Sequence, residues 1–234
     1  MNEPTFPPLL SGQKAEAAID PFDKACAMAA LGCDAGLVVY GLGPDWLRGA
    51  LVFAPEVPLA DAMAMLPACG IGFQNALGAL APPEVAVHLD WTGGVRVNGA
   101  SCGRLRAAAS GRDSGAVPDW LVIGLEIRLW PESDNPGEKP DETALYAEGC
   151  ADVDAVALLE SWARHTLVWI NRWEDEGARP LHAEWRGLAQ GIGEDVTVFG
   201  QSGTFVGVDE RFGMILRDGD QTRILPLTDL LEGT

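Results

Sequence analysis

Residues 121–129, with the sequence Leu-Val-Ile-Gly-Leu-Glu-Ile-Arg-Leu, restrict the fold more than any other segment of this chain. The first half is continuously apolar, which is typical of a strand buried on both faces. The second half alternates apolar and charged residues, which indicates that one face reaches water there. A chain of 234 residues can bury roughly 70% of the surface that its unfolded form exposes. The sequence therefore predicts an α+β protein with one large core, or one core and a small second domain.

Helix signals occur before and after this strand. Asp20 and Pro21 are typical of a helix N-terminus and Gly32 of a C-terminus, which predicts a helix within 20–33. Two further helices are predicted over 59–66 and 71–80, separated by Pro67 and Gly70. A long helix is predicted from Asp152 or Asp154 to about Trp173, with Gly177 as its stop signal, and a short helix is predicted around Trp185.

The remaining segments have strand patterns. Two strands are predicted over 36–40 and 50–53, joined by a loop over 40–49. A hairpin is predicted from strands over 85–91 and 95–97, and a further strand over 102–109. From Val196 onward, four short strands with Gly-rich turns, one of them Asp218-Gly219, predict a small barrel-like domain. The predicted domains are 1–192 and 193–234. Residues 131–149 hold three prolines and six acidic residues and are predicted as a solvated loop, with a lid as the alternative.

Composition excludes several classes of function. The chain has 34 acidic and 16 basic residues and a formal net charge of −18, which disfavours nucleic acid and membrane surfaces as partners. No apolar run is long enough to cross a bilayer, and no signal peptide is recognisable. Five scattered cysteines without a Cys-x-x-Cys pair, and three histidines in separate elements, predict reduced thiols, a cytoplasmic protein and no metal site.

Four segments together resemble biotin protein ligases and lipoate ligases. Residues 85–105 are similar to the central hairpin of that family, and 121–129 to its Val-Ile-Gly-x-Gly-Ile-Asn-Leu strand. Glu176-Gly177 followed by Leu181 and Trp185 resembles the family's Glu-Gly-x-x-x-Leu-x-x-x-Trp, and 203–216 its C-terminal β segment. The resemblance implies a mixed sheet backed by helices, as in class II aminoacyl-tRNA synthetases, and a small C-terminal Src-homology-type β-barrel. The resemblance is to members of the family without the N-terminal DNA-binding helix-turn-helix.

The resemblance also implies a chemistry, in which ATP activates biotin, lipoate or octanoate as an acyl-adenylate that is transferred to a lysine of a carrier domain. The family closes a Gly-Arg-Gly-Arg-x-x-Arg loop over the adenylate and uses the lysine of Asn-Gly-x-Lys, because the phosphoryl charge needs fixed positive groups. In this chain the loop is reduced to 40–49, where Arg48 is the only basic residue. Ala100 or Ser101 stands at the lysine position, and residues 25–138 contain no lysine.

Arginines on the predicted strands are candidates to replace the missing charge, since a guanidinium binds carboxylate and phosphate through two parallel hydrogen bonds. The alternative is a solvated sheet face on which these arginines pair with the abundant acidic residues. Trp46 and Trp91 lie at turns beside the implied pocket, where an aromatic ring can stack on a ligand. The candidate ligand-binding residues are Trp46, Arg48, Asp90, Trp91, Arg96, Asn98, Arg104 and Arg106.

Catalytic candidates are Arg104, Cys102, His88 and Asp90. A Cys102 thiolate could carry an acyl group without ATP if Arg104 or His88 lowered its pKa, whereas the alternative is a small buried strand residue. His88 and Asp90 have strand spacing and are either an acid–base pair or a surface hydrogen-bonded pair.

The preferred hypothesis is a ligase-like protein with a degenerate adenylation site and weak or no ligase activity. It would bind a small carboxylic acid or an acyl-carrier domain between the sheet and the C-terminal barrel. The alternatives are an active biotinyl, lipoyl or octanoyl ligase or Cys-dependent acyltransferase, and a non-catalytic protein-interaction module. The sequence leaves the oligomeric state open, with a homodimer among the alternatives.

Overall fold

The fold is built on a seven-stranded mixed sheet. It is described from a computed structural model that covers residues 3–133 and 138–233. The strands are β1 (Ser11–Lys14), β2 (Leu37–Leu42), β3 (Trp46–Phe53), β4 (Val87–Leu89), β5 (Gly94–Val97), β6 (Ala100–Ala109) and β7 (Leu121–Arg128). Their order is β1-β2-β3-β7-β6-β5-β4, with β1 parallel to β2 and all other neighbours antiparallel. The apolar run of the sequence is thus the central strand, β7, and only Arg128 at its end is not buried.

Helices cover this sheet on both faces. They are α1 (Pro21–Ala30), α2 (Leu59–Ala62), α3 (Met65–Gly78), α4 (Ala155–Glu176) and α5 (Ala178–Leu188). Helices α3 and α4 pack on one face and α1 on the other, so two clusters of buried apolar residues form on opposite faces of the sheet. Every helix in the described part of the chain is too short or too polar to span a membrane.

The first predicted helix is confirmed as α1. Asp20 caps it, because its carboxylate accepts a hydrogen bond from the Phe22 N–H at 2.8 Å. The helix lies close to the centre of the sheet, since a Cβ added at Gly124 would come within 2.6 Å of the Phe22 ring. The small residue in the central strand therefore sets how near α1 packs.

The predicted helix break at Pro67 and Gly70 is wrong, because α3 runs through both residues. Pro67 is in the first turn, where the helix leaves backbone N–H groups without partners in any case. Gly70 faces the side chains of Leu89 and Leu105, and a Cβ there would lie 3.0 Å and 2.9 Å from them. The glycine thus serves close helix–sheet packing.

The predicted loop over 40–49 is also wrong in most of its length. Strands β2 and β3 form a hairpin whose register runs from Val38 opposite Leu51 to Leu42 opposite Leu47. The chain reverses in one tight turn, in which the Gly43 N–H donates to the Trp46 carbonyl at 3.0 Å. No room is left in this turn for a long basic loop.

A second, four-stranded antiparallel sheet follows α5. Its strands are β8 (Asp195–Val198), β9 (Gln201–Val208), β10 (Met214–Asp218) and β11 (Gln221–Leu225), in the order β11-β10-β9-β8. The turn after β10 consists of Gly219 and Asp220, one residue later than predicted. Phe205 and Phe212 belong to the same buried cluster as α3 and α4, and the division of the chain at 192/193 stays a prediction.

Candidate functional site

Charged side chains occupy the part of the sheet that α1 leaves open. Arg48 of β3 and Arg104 of β6 lie directly opposite Glu126 of β7, one on each side. Cross-strand neighbours share a face, and so do residues two apart on one strand, so Arg106 and Arg128 belong to the same face. We call the face formed by Arg48, Arg104, Arg106, Glu126 and Arg128 the arginine face.

Glu126 and its neighbours neutralise two of these arginines. The Glu126 carboxylate, 8% exposed, accepts from Arg104 Nε at 2.9 Å and from Arg106 Nη1 at 3.3 Å. Arg106 also contacts Glu232 at 2.7 Å and Asp20 at 3.3 Å. Burial acts to lower the pKa of Arg106, but these carboxylates outweigh burial and raise it above its usual value. Both candidates are therefore occupied by the protein's own acidic groups.

Arg96 is paired in the same way. Its Nε lies 2.8 Å from the Asp90 carboxylate and its Nη1 donates to the Gly99 carbonyl, so the bond to Asp90 raises the pKa of Arg96. The expected pair of His88 and Asp90 is not formed within the described residues, where His88 Nδ1 is buried and has no hydrogen-bond partner. Asp90 thus serves Arg96, and His88 has no carboxylate to act with.

Cys102 lies on the opposite face from Arg104. A bulge in the β5–β6 pairing, where Arg96 faces Ser101 and Val95 faces Gly103, leaves Cys102 as the extra residue. The thiol is 1% exposed, lies in the main apolar cluster and donates to the Arg128 carbonyl at 3.6 Å. Burial raises its pKa to about 12. The condition that Arg104 or His88 lowers this pKa is therefore not met, and the position agrees with the alternative of a small buried strand residue, because the bulge turns the thiol into the core.

Asn98 and Trp91 use their polar atoms within the protein. The Asn98 side chain accepts from the Ala86 N–H at 2.9 Å and donates to Glu148 at 2.8 Å. Asn98 has a φ of 50°, in the left-handed region that asparagine tolerates better than most residues. The Trp91 indole, 4% exposed, donates to the Phe212 carbonyl at 2.7 Å.

The contact between the two sheets is packed with side chains. Trp91, Trp185 and Phe212 meet there, around a cavity of about 20 Å³ that has room for a single water molecule. This cavity is therefore too small for a carboxylic acid such as biotin, and a ligand site elsewhere between the sheet and the C-terminal domain stays a prediction.

Arg48 differs from the other arginines of this face. Within residues 3–133 and 138–233 it has no carboxylate within 4.0 Å, and its buried Nε has no hydrogen-bond partner. Two guanidinium groups lie over the Trp46 ring, with Arg48 Cζ at 5.2 Å and Arg128 Cζ at 4.4 Å from its centroid. The Arg128 Nη2 atom lies 3.9 Å from the Glu132 carboxylate, close to the 4.0 Å limit for an ion pair. We call Trp46, Arg48 and Arg128 the hairpin site.

Sequence reasoning missed Arg128, although the pattern contained it. The alternation at the end of 121–129 places Glu126 and Arg128 on one face of the strand, and only the neighbouring strand shows that this is also the face of Trp46.

None of the described residues form a cluster of three or more His, Cys, Asp or Glu side chains able to hold a metal ion.

The segment after β7 lies against the start of β6. The Ser101 N–H donates to the Asp141 carbonyl and the Thr143 N–H donates to the Ser101 carbonyl, both at 2.8 Å. Trp130 and Tyr146 stack with ring centroids 3.7 Å apart. Within the predicted loop over 131–149, residues 138–149 are described and include a short 3-10 helix at Leu145–Glu148, whereas 134–137 lie outside the described residues.

Comparison of the chain with known protein families identifies its family. A model of the biotin/lipoate A/B protein ligase family matches residues 6–187, well over half of the chain. The chain belongs to this family. A second model, of a domain of unknown function (DUF4444), matches residues 192–233.

Solved structures of the family confirm the predicted fold. A biotin protein ligase-like protein of unknown function from Silicibacter sp. TM1040 is 67% identical, with a TM-score of 0.94, and the match covers 98% of this chain and 100% of that one. Apo biotin protein ligase from Aquifex aeolicus is 15% identical, with a TM-score of 0.74 over 94% of this chain and 96% of that one. The same enzyme in complex with biotin and ATP is also 15% identical, with a TM-score of 0.71 over 92% of this chain and 95% of that one. No curated protein matches the chain.

The hairpin turn and Ser101 lie at the two positions where the resemblance to the biotin/lipoate ligase family placed basic elements. The turn at Gly43 and Trp46 joins the strands between which the resemblance placed the basic loop. Ser101, one of the two residues at the lysine position, has both backbone hydrogen-bonding groups engaged by the docked segment. The family's fold is therefore present in this chain.

Proposed function

We propose that this biotin/lipoate ligase-like protein has a degenerate adenylation site and binds a small carboxylic acid at the hairpin site, with weak or no ligase activity. Arg48 supplies the charge that pairs with the carboxylate. The exposed side of Trp46 and the neighbouring Arg128 give the ligand an aromatic surface and a second cation. Biotin, lipoate and octanoate are the first ligands to test, because structures of related proteins hold biotin.

The observation that carries the proposal is the distribution of carboxylates over the arginine face. Arg104 and Arg106 are held by Glu126, Glu232 and Asp20, whereas Arg48 has no acidic partner among the described residues. A buried guanidinium nitrogen without a partner is costly, and a carboxylate ligand would satisfy it. One free cation suits one carboxylate, whereas a triphosphate needs several.

The residues do not fit ATP as a co-substrate. The family's loop is replaced by a tight turn, and the arginines nearest to it on β6 contact internal acidic groups. Phosphoryl oxygens brought to this face would meet those carboxylates as well as the arginines. An active ligase, and a transferase that forms a thioester on Cys102, are therefore the less favoured candidates, since the thiol is buried with a raised pKa.

Direct binding tests the proposal. Isothermal titration of biotin, lipoate and octanoate is done with the unaltered protein, with Arg48→Met and with Arg217→Met, which removes an exposed arginine of the second sheet. A hydrogen bond to a charged group contributes about 1.5–3 kcal/mol, so Arg48→Met should weaken binding roughly 10- to 150-fold. Arg217→Met should leave it unchanged. Failure of all three acids to bind, or equal loss in both variants, would contradict the assignment of the hairpin site.

Pyrophosphate exchange tests the degenerate adenylation site separately. With ATP and each of the three acids, we expect exchange at the background rate. Robust exchange that disappears in Arg48→Ala or Arg104→Ala would show a working adenylation site and overturn this part of the proposal.

A further inference from the structure

A large groove lies at the end of β3 opposite to the hairpin site. Its volume is about 920 Å³, and its walls come from the end of β3, helix α2, the C-terminal half of α4 and the turn at 210–212. Phe53, Val57, Met65, Ile170 and Trp173 make the floor and sides mainly apolar. This volume is at the upper end of the range of roughly 300–1,000 Å³ typical of ligand sites. The groove shares no lining residue with the hairpin site.

Helix α4 forms a straight wall of this groove. Leu167, Ile170, Asn171 and Glu174 line it and share one face of the helix, with Trp173 beside them and Gly177 just beyond the helix end. At 1.5 Å per residue, this face is about 11 Å long, or two turns. The fully buried residues of α4 end at Trp169, and the apolar side chains beyond it, Ile170 and Trp173, are partly buried against the core and line the groove. A surface of this shape matches the side of another helix.

The rim of the groove is acidic. Glu56, Glu174 and Glu210 line it and have no ion-pair partner in the described part of the chain, whereas Asp61 is paired with Arg211 at 2.8 Å. Arg211 is the only basic residue among those that line the groove. The groove therefore presents three unpaired negative charges around an apolar floor, and its complement is apolar on one side and positively charged at the edges.

We propose that this groove binds an amphipathic helix of a partner protein, with leucine-like side chains on the floor and lysine or arginine facing Glu56, Glu174 and Glu210. A second copy of this chain is a poor occupant, because each copy carries a net charge of −18 and the surfaces would repel. The partner helix packs along α4 and takes the unpaired carboxylates as its ion-pair partners. This surface is independent of the carboxylic acid proposed for the hairpin site.

Fluorescence anisotropy with a labelled helical peptide tests the proposal. The probe is a Leu/Lys amphipathic peptide of about four turns, and a Leu/Glu peptide of equal length is the charge control. Ile170→Asp puts a charge on the apolar floor, and Glu174→Lys reverses a rim charge. Their matched controls are Val168→Asp, at a position 60% exposed on α4, and Asp175→Lys, since neither residue lines the groove.

We expect the Leu/Lys peptide to bind and the Leu/Glu peptide not to bind. Ile170→Asp and Glu174→Lys should each weaken binding about tenfold or more, because they remove a floor contact or create a like charge, while both control variants bind as before. Glu174 is exposed, so its variant keeps the fold even if Ile170→Asp lowers stability.

Three results would overturn the proposal. Equal losses in the control variants would mean that the peptide is attracted only by the overall negative charge. Equal binding of the Leu/Glu peptide would remove the role of the rim. A dimer in sedimentation velocity that Ile170→Asp dissociates would assign the groove to self-association. Arg48→Met should leave peptide binding unchanged, so failure here is distinguishable from failure of the proposed carboxylate site.

Discussion

Iodoacetamide should leave Cys102 almost unmodified in the folded protein at pH 7. Burial raises the pKa of this thiol from 9.0 to about 12, which lowers the thiolate fraction at neutral pH about a thousandfold. The thiol is also only 1% exposed, which further limits the access of the reagent in the folded state. The two effects act in the same direction, and we expect Cys102 to react at least a thousandfold more slowly than in the unfolded chain.

Peptide mapping by mass spectrometry gives the rate for each cysteine. Cys33, which is partly exposed, is the internal control and should be labelled first, and guanidinium chloride should make all five cysteines react. A raised pKa means that the thiolate grows with pH up to about 12, so labelling of Cys102 should rise about tenfold per pH unit from 7 to 10 without levelling off. Fast labelling of Cys102 at pH 7, or an octanoyl adduct lost in Cys102→Ser, would refute the reasoning.

Two further predictions concern stability and are measured by urea unfolding. Gly72→Ala would bring a Cβ within 2.9 Å of the backbone nitrogen of Thr166 on α4, and should lower the free energy of unfolding by about 2–3 kcal/mol. Its control is Gly187→Ala in α5, where a Cβ meets nothing within 4 Å, and this change should leave the free energy of unfolding unchanged or raise it by up to about 1 kcal/mol. Equal effects of the two would contradict the close packing of the helices. Glu126→Gln keeps the side-chain shape but removes the charge that two arginines share, so we expect a loss of about 1–2 kcal/mol; unchanged or increased stability would refute the role given to this carboxylate.

Local signals in the sequence were sufficient for the elements that depend on local chemistry. The cap at Asp20 and the break at Gly177 predicted where α1 begins and α4 ends. The predicted start of α4 at Asp152 or Asp154 resolves to Asp154, whose side chain accepts from the Ala157 N–H at 2.9 Å. Each of these signals acts within one or two helical turns, so neighbouring residues decide the outcome.

Signals that depend on distant contacts were misleading. Gly70 looked like a helix break because glycine lowers helix propensity, but the side chains packed against it leave no room for a larger residue. The bulge at Cys102 follows from the pairing of β5 with β6, and no local pattern marks it. It moves Cys102 to the face opposite to Arg104, where burial raises the thiol pKa. Candidate site residues therefore could be listed from the sequence, but their faces could not be assigned.

The charges of the arginine face indicate what kind of anion this fold can still accept. Four carboxylates lie within ion-pair distance of one guanidinium, that of Arg106, and they belong to Asp20, Asp23, Glu126 and Glu232. At an effective dielectric constant near 20, two unit charges 4 Å apart interact by about 4 kcal/mol, so each additional phosphate charge placed among these groups meets repulsion comparable to the attraction of one arginine. The Arg48 guanidinium, in contrast, has no carboxylate within 4.0 Å in the described part of the chain. This contrast between Arg106 and Arg48 supports the proposal that the protein binds a monocarboxylate at Arg48 and does not use a triphosphate.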